Sequence, residues 1–171
     1  MERILIVGNS GAGKSTMARA LSEKTGLPVV HLDRLFWREN WQHIAREEFD
    51  ALLQQELEKS QWIIDGNYDR TVSTRLAYCD TVIYLDYPRW QCLLGVVKRV
   101  ISSYGKVRPD MGDGCPERFD WEFMKYVWNY NRENREKLYR KLNALDRVNV
   151  IVFKNRKEGN LFLRNLNNSG G

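Results

Sequence analysis

The chain has 171 residues, 43% hydrophobic and 29% charged, enough for one domain with a proper core and too mixed for a disordered or fibrous protein. It carries a net charge of +5 but no basic run of five residues, and no apolar run nears the ~20 residues that cross a bilayer, so no dedicated nucleic-acid face and no membrane span are expected. Cys79, Cys92 and Cys115 are unevenly spaced with no C-x-x-C pair, which excludes a disulfide framework and a zinc site, and His31 and His43 have no metal-ligand spacing.

Ile4-Leu5-Ile6-Val7 is a continuous apolar run, as in a parallel strand buried on both faces. It is too short for a signal peptide and leads straight into a motif, so a cytoplasmic location is expected. That motif is Gly8-Asn9-Ser10-Gly11-Ala12-Gly13-Lys14-Ser15-Thr16, the spacing G-x-x-x-x-G-K-[ST]. Its glycines let consecutive backbone N–H groups converge on an anion, and the following helix adds its unpaired donors and the positive end of its dipole. Phosphate binding follows: Lys14 for the β- and γ-phosphates, the Ser15 hydroxyl for Mg²⁺. The helix runs from Thr16 to Thr25, and Gly26-Leu27-Pro28 stops it.

Val29 to Leu32 reads as a second strand, ending at Asp33. Residues 44–59 have helical periodicity through Phe49, Leu52, Leu53 and Leu57. Trp62-Ile63-Ile64 is a third strand ending at Asp65, a short helix spans about 70–77, and Thr81 to Leu85 is a fourth strand. Pro88 opens a helix with Trp90, Leu93, Leu94, Val97 and Ile101 as its buried stripe. Residues 104–118, with three glycines and two prolines, form the longest irregular stretch, of functional-loop length. A long helix runs from an Asp120 cap to Asn143, with Trp121, Met124 and Trp128 inward and Tyr126 and Tyr130 outward. Val148 to Phe153 is the fifth strand and Lys157 to Leu166 the closing helix. The pattern predicts a single domain over 1–171, a three-layer α/β sandwich with a five-stranded parallel sheet and ligands at the strands' carboxyl ends. Asp33, Asp65 and Asp86 fall along that edge.

At this point the chain resembles the adenylate-kinase-like branch of P-loop kinases, and within it the bacterial DNA topology modulation protein (FlaR-like) family. The resemblance rests on His31-Leu32-Asp33, on Trp62 through Tyr68, on Tyr84 through Arg89 and on Cys115-Pro116-Glu117-Arg118. It implies an acceptor-binding helical segment at about 34–61 and a lid at about 99–118. Asp65-Gly66 matches the opening of the adenylate kinase D-G-F-P-R-T motif, but Asn67-Tyr68-Asp69-Arg70-Thr71 departs from it, with the arginine one place later and no proline. The resemblance puts Asp33 where smaller kinases of this group hold an acceptor hydroxyl, Arg99, Arg108 and Arg118 where lid arginines neutralise the transferred phosphoryl group, and Arg156 beside the adenine.

Each assignment has a plainer rival. Asp33 is read either as an acceptor-site carboxylate or as a helix cap. Asp65 suits the Mg²⁺ position, with Asp86 competing for it or a turn aspartate as the alternative. The lid arginines are phosphate contacts or solvated charges. Trp37, Trp41 and Tyr68 stack on a substrate or pack against a helix. Arg70 and Arg75 are candidates for the acceptor side. The motif Asn-Lys-x-Asp, which would read guanine, does not occur, so ATP is expected.

The expected function is Mg²⁺-dependent transfer of the ATP γ-phosphoryl to a small acceptor such as a nucleoside or nucleotide, by a monomer or homodimer. A regulatory protein associated with DNA topology is the alternative, and a simple ATPase the third. The charge distribution argues against a dedicated nucleic-acid face: residues 41–60 hold two basic and five acidic groups, and the six basic and three acidic groups of residues 88–118 are as well explained by a polyphosphate substrate.

Overall fold

The computed structural model describes residues 1–166; positions 167–171, the end of the expected 1–171 domain, lie outside the described residues. β1 (Arg3–Gly8) leads through the glycine loop into α1 (Lys14–Thr25), followed by β2 (Val29–His31) and α2 (Leu32–Phe36). A small antiparallel hairpin, β3 (Trp37–Arg38) and β4 (Gln42–His43), precedes α3 (Arg46–Leu57). Then come β5 (Trp62–Asp65), α4 (Asp69–Tyr78), β6 (Thr81–Leu85) and α5 (Arg89–Ser103). After a long loop, α6 (Trp121–Asn143), β7 (Asn149–Phe153) and α7 (Arg156–Leu166) complete the described chain.

Five strands form one parallel sheet in the order β2-β5-β1-β6-β7, with Ile4 opposite both Ile63 and Thr81 in register. β1 is central, which is why its run is apolar on both faces. Ile4 and Ile6 join one core with Met17 and Leu21 of α1 and Cys92 and Val96 of α5. Leu5 and Val7 join the other, with Phe49 and Leu53 of α3 and Val72 and Leu76 of α4. α6 reaches both, through Val127 on one side and Leu138 and Leu142 on the other. The expected three-layer sandwich is the observed architecture.

Two boundary devices act as their residues predict. Gly26 ends α1 in the left-handed conformation (φ 74°), its N–H reaching Ser22 O at 2.8 Å. Asp120 caps α6, accepting from the Phe123 N–H at 3.1 Å.

Three expectations need correction. The strand over Val29–Leu32 stops at His31, because β2 is the sheet edge and pairs with β5 over only three residues. Leu32 instead opens α2, and Asp33 lies in its first turn. On α5, Trp90, Leu94 and Ile101 are exposed (54, 59 and 77%), while Cys92 and Val96 are buried. The cause is a backbone-to-backbone contact: a Cβ on Gly95 would lie 2.2 Å from Gly11 O, and one on Gly11 would lie 2.1 Å from Cys92 O. On α6, the inward row is Met124, Val127 and Tyr130, so Trp121 and Trp128 are exposed and Tyr130 is buried. Trp128 lies beside that row, under the Arg89 guanidinium at 4.1 Å.

Residues 104–118 stay irregular, as expected, and the irregular stretch runs on to 120, but it is folded back on itself and docked. Tyr104 bridges Glu117 and Val107 bridges Pro116. Gly112 packs on Trp37, the Asn40 N–H donates to Gly114 O at 3.1 Å, and Cys115 Sγ donates to Arg38 O at 2.9 Å. The loop therefore roofs the hairpin. Arg99 belongs to α5, so the expected 99–118 lid divides into a helix end and this loop.

Candidate active site

The loop from Gly8 to Thr16 crosses the carboxyl end of the central strand, with positive φ at Gly8, Gly11 and Gly13. α1 begins at Lys14 with Gly13 as its cap residue and no side-chain cap bond, so its first amides face a ligand site. Lys14 Nζ donates to Gly8 O at 2.9 Å and Asn9 O at 3.0 Å. Burial pulls its pKa down, and the charges of Asp65 and Asp33 oppose that fall. Ser10, Gly11, Gly13, Ser15 and Thr16 line the adjoining cleft; Gly8, Asn9 and Ala12 do not. These three are structural underpinnings of the loop. Gly8 abuts Leu85, Asn9 Nδ2 donates to Val127 O at 2.8 Å, and the Ala12 N–H is spent on Asn9 O at 3.2 Å.

Two cavities meet at this loop. The larger, about 880 Å³, runs between the loop, α5 and the start of α7. The smaller, about 500 Å³, lies between α2, the hairpin, residues 66–69 and α6. Ser10, Lys14, Asp33, Arg99 and Arg108 belong to both walls. In the larger cavity, Arg156 grips the loop from outside, donating to Gly11 O at 2.6 Å. Trp90 and Leu94, misread as core, form part of its wall.

Asp33 stands at the junction. The Tyr68 hydroxyl donates to its Oδ1 at 2.7 Å. Burial raises the Asp33 pKa above the ordinary value, against the pull of Tyr68 and Lys14. Tyr68 is itself pushed up by burial and by the Asp33 charge. Asp65, at the end of β5, is buried beside Lys14 and the larger cavity, and His31 Nδ1 donates to its Oδ1 at 2.7 Å. Asp86 is in neither cavity. It receives Arg135 Nη2 at 2.8 Å, Tyr139 at 2.8 Å and Lys154 at 2.6 Å. Burial pushes Asp86 up, but those hydrogen bonds outweigh it and hold the carboxyl below its usual range. Of the competing carboxylates, Asp65 alone faces the loop lysine.

The arginines separate into those that line a cavity and those that do not. Arg99 and Arg108 converge on Glu117 (3.0 and 2.8 Å), and Arg108 also pairs with Asp110 at 2.7 Å. Arg118 borders the smaller cavity, over the Trp41 ring at 5.1 Å and 4.0 Å from Asp120. Arg70 does not face either cavity: it forms a two-pronged pair with Asp50 of α3 at 2.6 and 2.8 Å. Arg75 is fully buried beneath residues 66–68, donating to Gly66 O, Asn67 O and Tyr68 O. Burial lowers its pKa to about 10. It shapes the cavity wall from behind and offers nothing to a ligand. Trp37, Trp41 and Tyr68 do line the smaller cavity.

Sequence reasoning missed His31, Glu117 and Asp110. Asp110 holds Arg108 at 2.7 Å and lies 3.9 Å from Arg19 of α1, a contact from the roof loop that no local pattern announces. His31 had a signal: it precedes Asp33 at a strand end, opposite Asp65 in register.

Known proteins agree on the frame. The family described as isopentenyl transferase matches residues 1–60, the part holding the glycine loop. Adenylate kinase of Clavibacter michiganensis is 30% identical over 109 residues, covering 62% of this chain and 53% of that protein. Adenylate kinase of Thermotoga neapolitana is 32% identical over 95 residues, covering 52% and 41%. The matched region thus spans about half or less of these relatives' length. Among solved structures, shikimate kinase from Acinetobacter baumannii in complex with shikimate superposes with a TM-score of 0.63 at 16% identity, covering 99% of this chain and 95% of that one. Deoxyadenosine kinase from M. mycoides with bound dATP gives 0.56 at 18% identity, covering 98% and 100%. The fold is that of P-loop kinases. Among the described residues, no helix is long and apolar enough to cross a membrane.

Proposed function

We propose that the chain is a phosphotransferase that moves the γ-phosphoryl group of ATP to a hydroxyl of a small acceptor. One observation carries this reading: two cavities of unequal size share Lys14 and Asp33 as a common wall. The larger, floored by the glycine loop and the uncapped start of α1, suits a nucleoside triphosphate. The smaller suits the acceptor, and the adenylate kinase relatives support the class of reaction.

Phosphoryl transfer asks little covalent chemistry of a protein; it needs alignment and charge neutralisation. In this reading the loop amides and Lys14 hold the donor phosphates. Asp33 orients the acceptor hydroxyl and takes its proton as the oxygen attacks, a role that its raised pKa favours. Arg99 and Arg108 lie at the junction and offset the charge that develops there. The docked 104–120 loop keeps water from competing as acceptor. The Ser15 hydroxyl and the Asp65 carboxylate, both hard oxygen donors, would hold Mg²⁺, which would supply charge neutralisation for the donor phosphates.

The test is ATP consumption with Mg²⁺ across a panel of hydroxyl acceptors, comparing the native chain with Lys14→Ala. Acceptor-dependent ADP release far above the acceptor-free rate, abolished in a folded Lys14→Ala variant, is expected. Unchanged turnover in that variant would overturn the assignment. A rate raised by no acceptor, together with tight, salt-sensitive DNA binding, would favour the regulatory alternative.

A further inference from the structure

Resting on that reading, we propose that the smaller cavity selects an uncharged acceptor with a flat ring and a free hydroxyl, a molecule of the nucleoside class, and rejects its phosphorylated form.

The walls are aromatic. Trp37, Trp41, Tyr68, Phe123 and Tyr126 border a space of about 500 Å³, large enough for a ring and a sugar-sized appendage. Flat, rigid side chains of this kind favour stacking over the enclosure of a flexible or branched ligand. Trp41 and Tyr68 also hold positive φ (58° and 27°), a conformation that costs a bulky residue energy and that concentrates at ligand sites. Two of the three non-glycine residues with positive φ border this cavity; the third, Asn40 (59°), adjoins Trp41 in the hairpin turn.

The polar groups in the wall are mixed and incomplete. Trp41 Nε1 and Asn67 Oδ1 are buried without a hydrogen-bond partner in the chain, one a donor and the other an acceptor. Each such atom costs stability until something pairs with it. A ligand completing both would have to supply one acceptor and one donor; an ion of either sign completes only one.

The charges decide against a phosphorylated acceptor. Four acidic and four basic side chains line the cavity, so the wall is balanced before a ligand enters. Lys14, Arg99 and Arg108 are shared with the donor cavity, and Arg99 and Arg108 are already paired with Glu117 and Asp110. What remains is Asp69, Glu117, Asp120 and Arg118; Glu117 is paired with Arg99 and Arg108, and Arg118 lies 4.0 Å from Asp120 and is stacked on Trp41. The two arginines that would grip an acceptor phosphate are spent elsewhere, Arg70 on Asp50 and Arg75 beneath the 66–68 turn. A second phosphate would meet Asp33 and Asp69 with one committed cation to offset it. An amine acceptor would meet the shared cations instead. A neutral ring with a hydroxyl directed at Asp33 disturbs neither set.

The experiment has two readouts on the full chain. The first is ADP release from Mg·ATP with nucleosides, the matching nucleoside 5′-monophosphates, hydroxy acids and amino alcohols. The second is tryptophan fluorescence on adding the same compounds with a non-hydrolysable ATP analogue, in the native chain and in Trp37→Leu. Expected are turnover with a nucleoside, none with its monophosphate, and a rise of about tenfold in nucleoside KM in Trp37→Leu with ATP KM unchanged. Turnover with a monophosphate, hydroxy acid or amino alcohol as the preferred acceptor overturns the inference and leaves the phosphotransferase intact. Nucleoside binding without turnover sustains the cavity assignment and overturns the transfer. No fluorescence response to any nucleoside overturns the inference outright.

Discussion

Asp33 is a carboxylate kept in a place that disfavours its charge, and this sets a pH signature. A base works only when ionised. Because burial raises its pKa, activity should climb with pH through a range above the ~4 of an ordinary carboxyl. The acid limb of kcat/KM is therefore expected to lie above that value, and Asp33→Asn should lower kcat by about 10²–10⁴ and flatten the limb. A limb at or below the ordinary range would remove Asp33 from the base role. At this scale, the loop residues were legible because they are adjacent in the chain and carry their own geometry. Asp33 was legible because it follows a buried run. Arg70 was not, since its partner Asp50 lies on a helix twenty positions earlier, and no spacing says whether a guanidinium turns to a cavity or to that neighbour. The placement of Arg75 was not legible for a related reason: a buried arginine that satisfies backbone carbonyls looks, in sequence, like one that meets a phosphate.

Elements were legible in kind and less so in rotation. Every sheet strand and long helix falls where the apolar periodicity puts it, but the faces of α5 and α6 were misjudged. Periodicity counts large apolar residues, whereas α5 is seated by its smallest one. Gly95 lets the helix backbone touch the glycine loop at Gly11, and that contact turns Trp90 and Leu94 outward to the cleft. Gly95→Ala should therefore push α5 off the loop, lowering nucleotide affinity at least about tenfold and stability by about 1–3 kcal/mol. Equilibrium nucleotide binding and thermal unfolding check this, with Ile101→Ala, 77% exposed on the same helix, as the silent control. Affinity retained in Gly95→Ala would mean that the contact is incidental. The hairpin between α2 and α3 went unread because its two-residue strands are too short for any period to register.

At the level of the whole molecule, Asp86 ties β6, α6 and β7 together through Tyr139, Arg135 and Lys154. Arg135 and Lys154 are about half exposed, so solvent screens much of their attraction. Asp86→Asn is expected to cost about 1–3 kcal/mol at pH 7. The native carboxyl has a depressed pKa, so its contribution is present above the unfolded value of ~3.9 and is lost as pH falls through the native one. Unfolding midpoints of the two proteins should differ most near neutrality and converge below about pH 4; a gap constant with pH would contradict the ionic account. The sandwich itself was readable from five apolar runs alternating with helices, while this clasp, spanning 68 positions from Asp86 to Lys154, was not. The wall held in common by the two cavities has a further consequence. Since Lys14, Asp33, Arg99 and Arg108 face both, each ligand alters the field that the other meets. In the proposed reading, occupancy would be thermodynamically linked: whatever factor a triphosphate added to the affinity of its co-substrate, the co-substrate would return to the triphosphate. Under the proposed reading, cooperativity between the two ligands would need neither a second subunit nor a remote effector site.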